Sequence, residues 1–303
     1  MRAPNELRFD GRVAIVTGAG RGIGRAYALL LAARGASVVV NDLGGSAGGD
    51  GSDAGPAADV VAEIVATGGA AVADTNDISS PSAAQALIDA AIEHLGRVDV
   101  LINNAGVISW AGMPDIDDDN FARHLAVHLG GSFVTARAAW PHFVEQGYGR
   151  IVMTTSSGVF GLPNNTSYAA AKGGVIGLTR SLAVAGKKHG IRVNAVAPAA
   201  MTRMAGEVPD ALAERMDPDL VAPMTAYLAH EDCPVSGEIY AAGAGRFSRL
   251  LLASTPGYLH EGVVPTMEDV AAQWAAINDE TGYVVPADLM SWSAGFMAHL
   301  QEG

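Results

Sequence analysis

The residues best suited to chemistry stand at Ser167-Tyr-Ala-Ala-Ala-Lys172, where Tyr168 and Lys172 are four apart. On a helix, residues at that spacing share a face and their side chains meet. An ammonium beside a phenol favours the phenolate and so lowers a pKa that is normally near ~10. Tyr168 could then act as the general acid/base for an alcohol/carbonyl pair. The same spacing is also ordinary on helix surfaces. What gives it weight is the set of elements that lie upstream.

Val13–Thr17 is a short apolar run suited to a buried parallel strand. Gly18-Ala-Gly-Arg-Gly-Ile-Gly24 follows it, and Arg25–Arg34 then carries helical periodicity. Strand, glycine turn and helix, in that order, form the context of a phosphate-cradling loop. Gly18, Gly22 and Gly24 permit the tight turn, the close approach and the close packing, and the helix N-terminus faces a pyrophosphate. A second strand, Ser37–Val40, ends in Asn41-Asp42. A carboxylate at that point can bind both ribose hydroxyls of NAD and repel the 2′-phosphate of NADP. No Lys or Arg occurs between Arg34 and Arg97 to attract that phosphate, so the expected cofactor is NAD. The competing structural readings are a glycine connection without a ligand and a turn-capping role for Asp42.

Further on, the pattern predicts helix at 57–66, strand at 70–74, helix at 83–95 and strand at 98–102. Gly44–Gly55, rich in Gly, Ser and Asp, reads as a mobile surface loop. Asp77-Ile78 falls where an adenine ring would be met, and Asn103-Asn-Ala-Gly106 closes the fourth strand, its amides free to brace neighbouring backbone. Asp117–Asp119 reads as a solvated helix N-terminus. The helix expected over 120–139 carries His124 and His128, a pair with no third metal ligand in sight, so no metal is expected. A fifth strand at 151–155 precedes Ser156 and Ser157. A long helix follows from Tyr168 to about Lys188, then a sixth strand at 192–197, Pro198, and a helix starting at Thr202. Alternation of this kind predicts a doubly wound parallel sheet, the Rossmann fold, over 1–245. Residues 246–303 form a helical extension bearing Trp274, Trp292 and Phe296.

The 303 residues carry a net charge of −13, which argues against nucleic acid or an anionic membrane as partner. Hydrophobic residues at 49% suit a large buried core rather than disorder. Cys233, the one cysteine, allows neither an intrachain disulfide nor a cysteine-cluster metal site. The start of the chain shows no apolar signal segment, and no apolar run reaches bilayer length, so a cytoplasmic protein is expected.

Taken in order, Thr17-Gly-Ala-Gly-Arg-Gly-Ile-Gly24, Asn103-Asn-Ala-Gly106, Ser156 and Tyr168-Ala-Ala-Ala-Lys172 resemble the short-chain dehydrogenase/reductase family. Val38–Gly45, Val127–Phe133 and Tyr148–Thr154 are similar to the (3R)-hydroxyacyl-CoA dehydrogenase units within it. The resemblance implies that Tyr168 exchanges the hydroxyl proton while a hydride moves to or from nicotinamide. It implies that Lys172 holds the ribose and that a serine hydroxyl bonds the substrate oxygen. By the same resemblance the cofactor meets Gly18, Arg21, Gly22, Ile23, Gly24, Asp42, Asp77, Ile78, Asn104, Ala105, Gly106, Tyr168, Lys172, Pro198 and Thr202. His128 stands where many members carry a catalytic Asn, as it does in the hydroxyacyl-CoA group, and joins the catalytic set. Counting back thirteen residues from Tyr168, the family spacing, reaches Thr155, whereas the strand register reaches Ser156. The register favours Ser156, because a one-residue slip turns a strand's side chains over. The implied partners are a small alcohol or ketone, or an acyl-CoA, and a second or further copies in a homodimer or homotetramer. The extension is expected to be a lid or a dimer contact. The competing functions are an NADPH-dependent 3-oxoacyl reductase and a non-catalytic nucleotide sensor.

Overall fold

The computed structural model describes residues 6–204, 213, 215–262 and 264–301. It divides into two compact units, Met1–Arg249 and Leu250–Gly303. The first unit is built on a sheet whose strands run β1 (Val13–Thr17), β2 (Ser37–Asn41), β3 (Ala70–Asp74), β4 (Val100–Asn103), β5 (Gly149–Thr154), β6 (Ile191–Ala199), β7 (Ile239–Gly243) and β8 (Arg246–Leu250). Their spatial order is β3-β2-β1-β4-β5-β6-β7-β8, and the pairs from β3 through β7 are parallel. Between β1 and β4 the order reverses, opening the crevice in which a doubly wound sheet binds its ligand.

The strands alternate their burdens between two faces. Ala14, Val16, Val38, Val40, Val100 and Ile102 pack with Tyr27 and Leu31 of α1 (Gly22–Ala33), and with Val60 and Ile64 of α2 (Gly55–Ala66). Leu228 of α7 (Ala222–Ala229) joins the same cluster. Ile15, Val39, Leu101, Ile151 and Met153 are buried as well but outside that cluster. They turn to the opposite face, where α3 (Pro81–Leu95), α5 (Gly131–Gln146) and α6 (Thr166–Gly186) lie. Near-continuous apolar strands are what burial on both faces requires.

Three expectations change. The helix foreseen over 120–139 is α4 (Asp118–His124), one π turn (Leu125–Gly130) and then α5, which runs on past Pro141 to a left-handed Gly147. Residues 44–55 are not a loose loop but a hydrogen-bonded segment, with Asp53 N–H donating to Leu43 and Ile108 N–H to Ala47. Two further strands, β7 and the edge strand β8, extend the sheet beyond the six read from the pattern. The helix expected from Thr202 falls on residues outside those described; Thr202 itself is in a non-helical stretch.

In the second unit, α8 (Met267–Ala272), α9 (Trp274–Ile277) and α10 (Leu289–Phe296) contain no buried residue. Capping boxes at Thr266 and Asp288 start the first and last of them, and Trp292 stacks on Phe296. Among the described residues no helix is long and apolar enough to cross a membrane, and no group of three potential ligands could hold a metal ion.

Candidate active site

Thr17, at the end of β1, organises the glycine loop. Its hydroxyl oxygen accepts the backbone N–H of Asn104 and of Ala105, both at 3.0 Å. The Asn104 amide in turn donates to the carbonyls of Thr17 (2.9 Å) and Gly18 (3.1 Å). Asn104 therefore braces the loop rather than reaching for a ligand through its amide nitrogen. A side chain at Gly24 would collide with the Gly18 carbonyl and the Asn104 amide, so α1 can lie this close to β1 only with glycine there. The α1 N-terminus has no side-chain cap and no acidic residue in its first turn. Its N–H groups and dipole are thus left for an anion, which is the donor set a pyrophosphate needs.

A cleft of about 450 Å³ opens over this turn, lined by Gly18, Arg21, Gly22, Ile23, Gly24, Asp42, Asp77, Ile78, Asn104, Ala105, Gly106 and Thr202. Of the expected cofactor contacts, Pro198, Tyr168 and Lys172 do not line it. Pro198 is held in β6, paired with Ala242 of β7. Asp42 accepts Gly20 N–H on one carboxylate oxygen and Gly44 N–H on the other, each at 2.7 Å. It is therefore a joint between loops as well as part of the cleft wall. Asp77 caps its own turn through the backbone and hydroxyl of Ser79, and Ile78 is buried against Gly131. The cleft also takes in Leu43, Ser46, Asn76, Val107 and Arg123. The sequence does not single these out: Leu43 falls in the Val38–Gly45 stretch without a role of its own, and Ser46, Asn76, Val107 and Arg123 belong to no motif.

Val107 and Gly106 connect the cleft to the chemical groups. The buried His128 ring lies on Gly106, and Nε2 is 2.8 Å from the Val107 carbonyl. The Val107 N–H also points at Nε2, at 3.3 Å, so Nε2 is held between the N–H and the carbonyl of one residue while Nδ1 has no partner in the structure. Burial, and next the Lys172 ammonium, hold His128 well below the ordinary histidine pKa, so the ring is neutral. His128 stacks on His124 at 5.9 Å, and both rings meet Tyr168 edge-on, His128 at 5.1 Å. His124, noticed in the sequence only as half of a metal pair, is fixed by the Asn120 carbonyl at 2.8 Å and the Ser109 N–H at 3.3 Å.

Lys172 is buried, its Nζ donating to the Thr154 carbonyl at 2.7 Å and lying 5.5 Å from the Tyr168 ring centre. Burial lowers its pKa to about 7. Tyr168 departs from expectation: burial raises its pKa, and what opposes the rise is the hydrogen-bonded Ser156 hydroxyl. The lysine is itself desolvated and turned to a carbonyl, so it does not supply the lowering expected from the spacing. Ser156 caps the 3-10 turn Ser157–Phe160, its oxygen accepting Gly158 N–H at 3.0 Å. Thr155 points the other way, fully buried, its hydroxyl donating to the Lys172 carbonyl at 2.8 Å.

A family model for short chain dehydrogenase matches residues 12–212. A Mycobacterium tuberculosis protein described as a short-chain type dehydrogenase/reductase is 44% identical over 273 residues, 89% of this chain and 95% of that one. Mouse peroxisomal multifunctional enzyme type 2 is 41% identical over 300 residues, 98% of this chain but 40% of the longer enzyme. Among solved structures, a 7α-hydroxysteroid dehydrogenase complexed with NADH and 7-oxo glycochenodeoxycholic acid superposes with a TM-score of 0.72 at 33% identity. That match covers 81% of this chain and 98% of the other.

Proposed function

Since the chain belongs to the short-chain dehydrogenase family, we propose that it oxidises a secondary alcohol, or reduces the matching ketone, with NAD as the dinucleotide and a 3-hydroxyacyl-CoA as the first substrate to try. The observation that carries this reading is the meeting of Ser156 and Tyr168 hydroxyls beside the buried Lys172 amine and the neutral His128 ring. Bound in the cleft, the nicotinamide ring would supply the hydride acceptor or donor. The glycine loop and the α1 N-terminus would hold its pyrophosphate, and the Asp42 carboxylate the adenosine ribose. In reduction the Tyr168 hydroxyl gives its proton to the carbonyl oxygen; in oxidation Tyr168, having first passed its own proton to solvent, takes the proton of the alcohol. Ser156 gives its hydroxyl hydrogen to the charge that develops on that oxygen. His128 offers the unpartnered Nδ1 as a fixed hydrogen-bonding point for a water or hydroxyl next to Tyr168.

Asp42 supports NAD over NADP, because a 2′-phosphate would meet a carboxylate already held in place by two backbone donors. The acyl-CoA part rests on the similarity to the mouse enzyme, of which this chain spans two fifths. The test is a panel of secondary alcohols and 3-hydroxyacyl-CoA esters, each offered with NAD and with NADP, followed by reduced-cofactor absorbance. NAD should be preferred by at least an order of magnitude in kcat/KM, about 1.4 kcal/mol. Turnover with NADP at an equal rate would remove the role given to Asp42. Silence across the panel with cofactor bound would favour a nucleotide sensor.

A further inference from the structure

Resting on the reading of the cleft as a dinucleotide site, we propose that residues 43–53 form a strap that closes over the bound cofactor. Arg123 is its latch, and strap opening sets how fast the cofactor leaves.

The topology places the strap. β2 lies on one side of β1 and β4 on the other. A segment that leaves β2 and reaches the loop after β4 must pass across the end of β1, over the glycine turn. Residues 43–53 make that crossing. On the far side the Ala47 carbonyl accepts Ile108 N–H at 2.8 Å. Gly49 lies so close to Val107 that a Cβ would stand 2.8 Å from Cγ1. Arg123 of α4 donates from one Nη to the Gly48 carbonyl and to Asp50, both at 2.9 Å. On the near side Gly44 N–H is tied to Asp42 at 2.7 Å, and Arg21 reaches the Gly45 carbonyl at 3.4 Å. Between these anchors Ser46 and Asp50 close a tight turn of their own, through Ser46 N–H to the Asp50 carbonyl at 2.8 Å and Asp50 N–H to Ser46 Oγ at 3.1 Å. The strap is therefore a shaped piece held at both ends.

Gly45, Ser46, Gly49 and Asp50 face the same cleft as Gly18 and Ala105. A dinucleotide reaching from Asp42 and Asp77 toward Gly106 passes beneath them. Its release requires the far-side bonds to part while the Asp42 anchor holds. The latch is suited to parting, since the Arg123 and Asp50 side chains are 48% and 76% exposed. An ion pair in that setting is weak and screened by salt. In many enzymes that close a loop over their ligand, opening and release rather than chemistry limit turnover.

The test measures NADH dissociation by stopped-flow displacement, in the intact protein and in Arg123→Ala and Asp50→Asn variants with matched thermal melts. At low salt Arg123→Ala should release NADH about two- to fivefold faster, the size of one exposed charge-assisted pair, and Asp50→Asn by a smaller factor. Added salt should speed release from the unaltered protein toward the Arg123→Ala rate while changing that variant far less. If Arg123→Ala melts early, Asp50→Asn decides alone. Binding with dissociation rates untouched by either change overturns the strap and leaves the cofactor reading standing. A protein that binds neither NADH nor NADPH overturns the cofactor reading and the strap with it.

Discussion

Thr155 and Ser156 put two hydroxyls next to each other at the end of β5, and only one of them is left to meet a substrate. The Thr155 hydroxyl is spent on the Lys172 carbonyl at 2.8 Å in a fully buried position. The Ser156 oxygen accepts Gly158 N–H at 3.0 Å and keeps its own hydrogen to give beside Tyr168. Ser156→Ala should therefore cost about 2.7–4 kcal/mol of barrier, on the order of 10²–10³ in kcat. Thr155→Val should lower stability more than turnover. Steady-state kinetics alongside thermal melts separate the two, and loss of turnover in Thr155→Val alone would return the role to Thr155. This pair was legible in the sequence only as an alternative, because spacing from Tyr168 and strand register disagree by one residue. The pKa of Tyr168 was not legible at all. A four-residue spacing puts Lys172 near the phenol but cannot say that its amine turns to the Thr154 carbonyl. The buried pair His128 and Lys172 also predicts a pH dependence of stability. Both bind protons less readily folded than unfolded, since burial lowers His128 from 6.5 and Lys172 from 10.5 to about 7. The unfolded chain thus holds the extra protons, and stability rises with pH. His128 acts in this sense up to about pH 6.5 and Lys172 from about 7 upward. Near pH 10 the raised Tyr27, Tyr148, Tyr168 and Tyr240 begin to work the other way. Urea midpoints of the ligand-free protein should climb from pH 7 toward that limit, and Lys172→Met should flatten the climb. An equal climb in the variant would mean that Lys172 is not the group responsible.

At the scale of elements, the π turn Leu125–Gly130 is what brings His128 to the site. A π turn accommodates an extra residue within a helix and often marks a functional position. Leu125-Ala-Val-His-Leu-Gly130 has the composition of an ordinary helical stretch, so nothing in its periodicity announces the wider turn. The glycine loop shows the opposite case: its glycines, the flanking strand and the helix could all be read directly, because each steric demand there admits only one residue type. The strap was missed for a third reason, since Gly, Ser and Asp suit both a loose loop and a tightly bonded turn, and only partners far along the chain decide which. Gly106, in the loop after β4, leaves room for the His128 ring. A Cβ there would meet the imidazole at Cε1 and stand 2.9 Å from Nδ1. Gly106→Ala should push the ring off its place beside Tyr168 and lower kcat by up to roughly 10²-fold, the scale of an ångström-sized misplacement. A correctly folded Gly106→Ala protein with unchanged kcat would show that the ring's position does not matter.

For the whole molecule, the alternation of strands and helices sufficed to read a doubly wound sheet, since apolar strands separated by amphipathic helices have few other ways to bury both faces. The last two strands, β7 and β8, could not be read the same way. Ile239-Tyr-Ala-Ala-Gly243 is short and mostly of small residues, and Arg246–Leu250 is mostly exposed. Residues 250–303 carry Trp274, Trp292 and Phe296 exposed on helices without a buried residue, the pattern of a unit that cannot build its own core. Its proposed role remains a lid or a contact between copies, read out by the oligomeric state and by turnover of a chain lacking it. The first unit holds the cleft, the glycine loop and the Ser156–Tyr168–Lys172 group together, and in the mechanism proposed for it the Tyr168 hydroxyl moves the proton of the alcohol. The direct measurement is the rate of NADH formation on the best alcohol of the panel, at saturating NAD, for the unaltered protein and for Tyr168→Phe. The variant should keep its fold and its NADH affinity and lose roughly 10²–10⁴-fold in rate; a rate equal to that of the unaltered protein would contradict the mechanism.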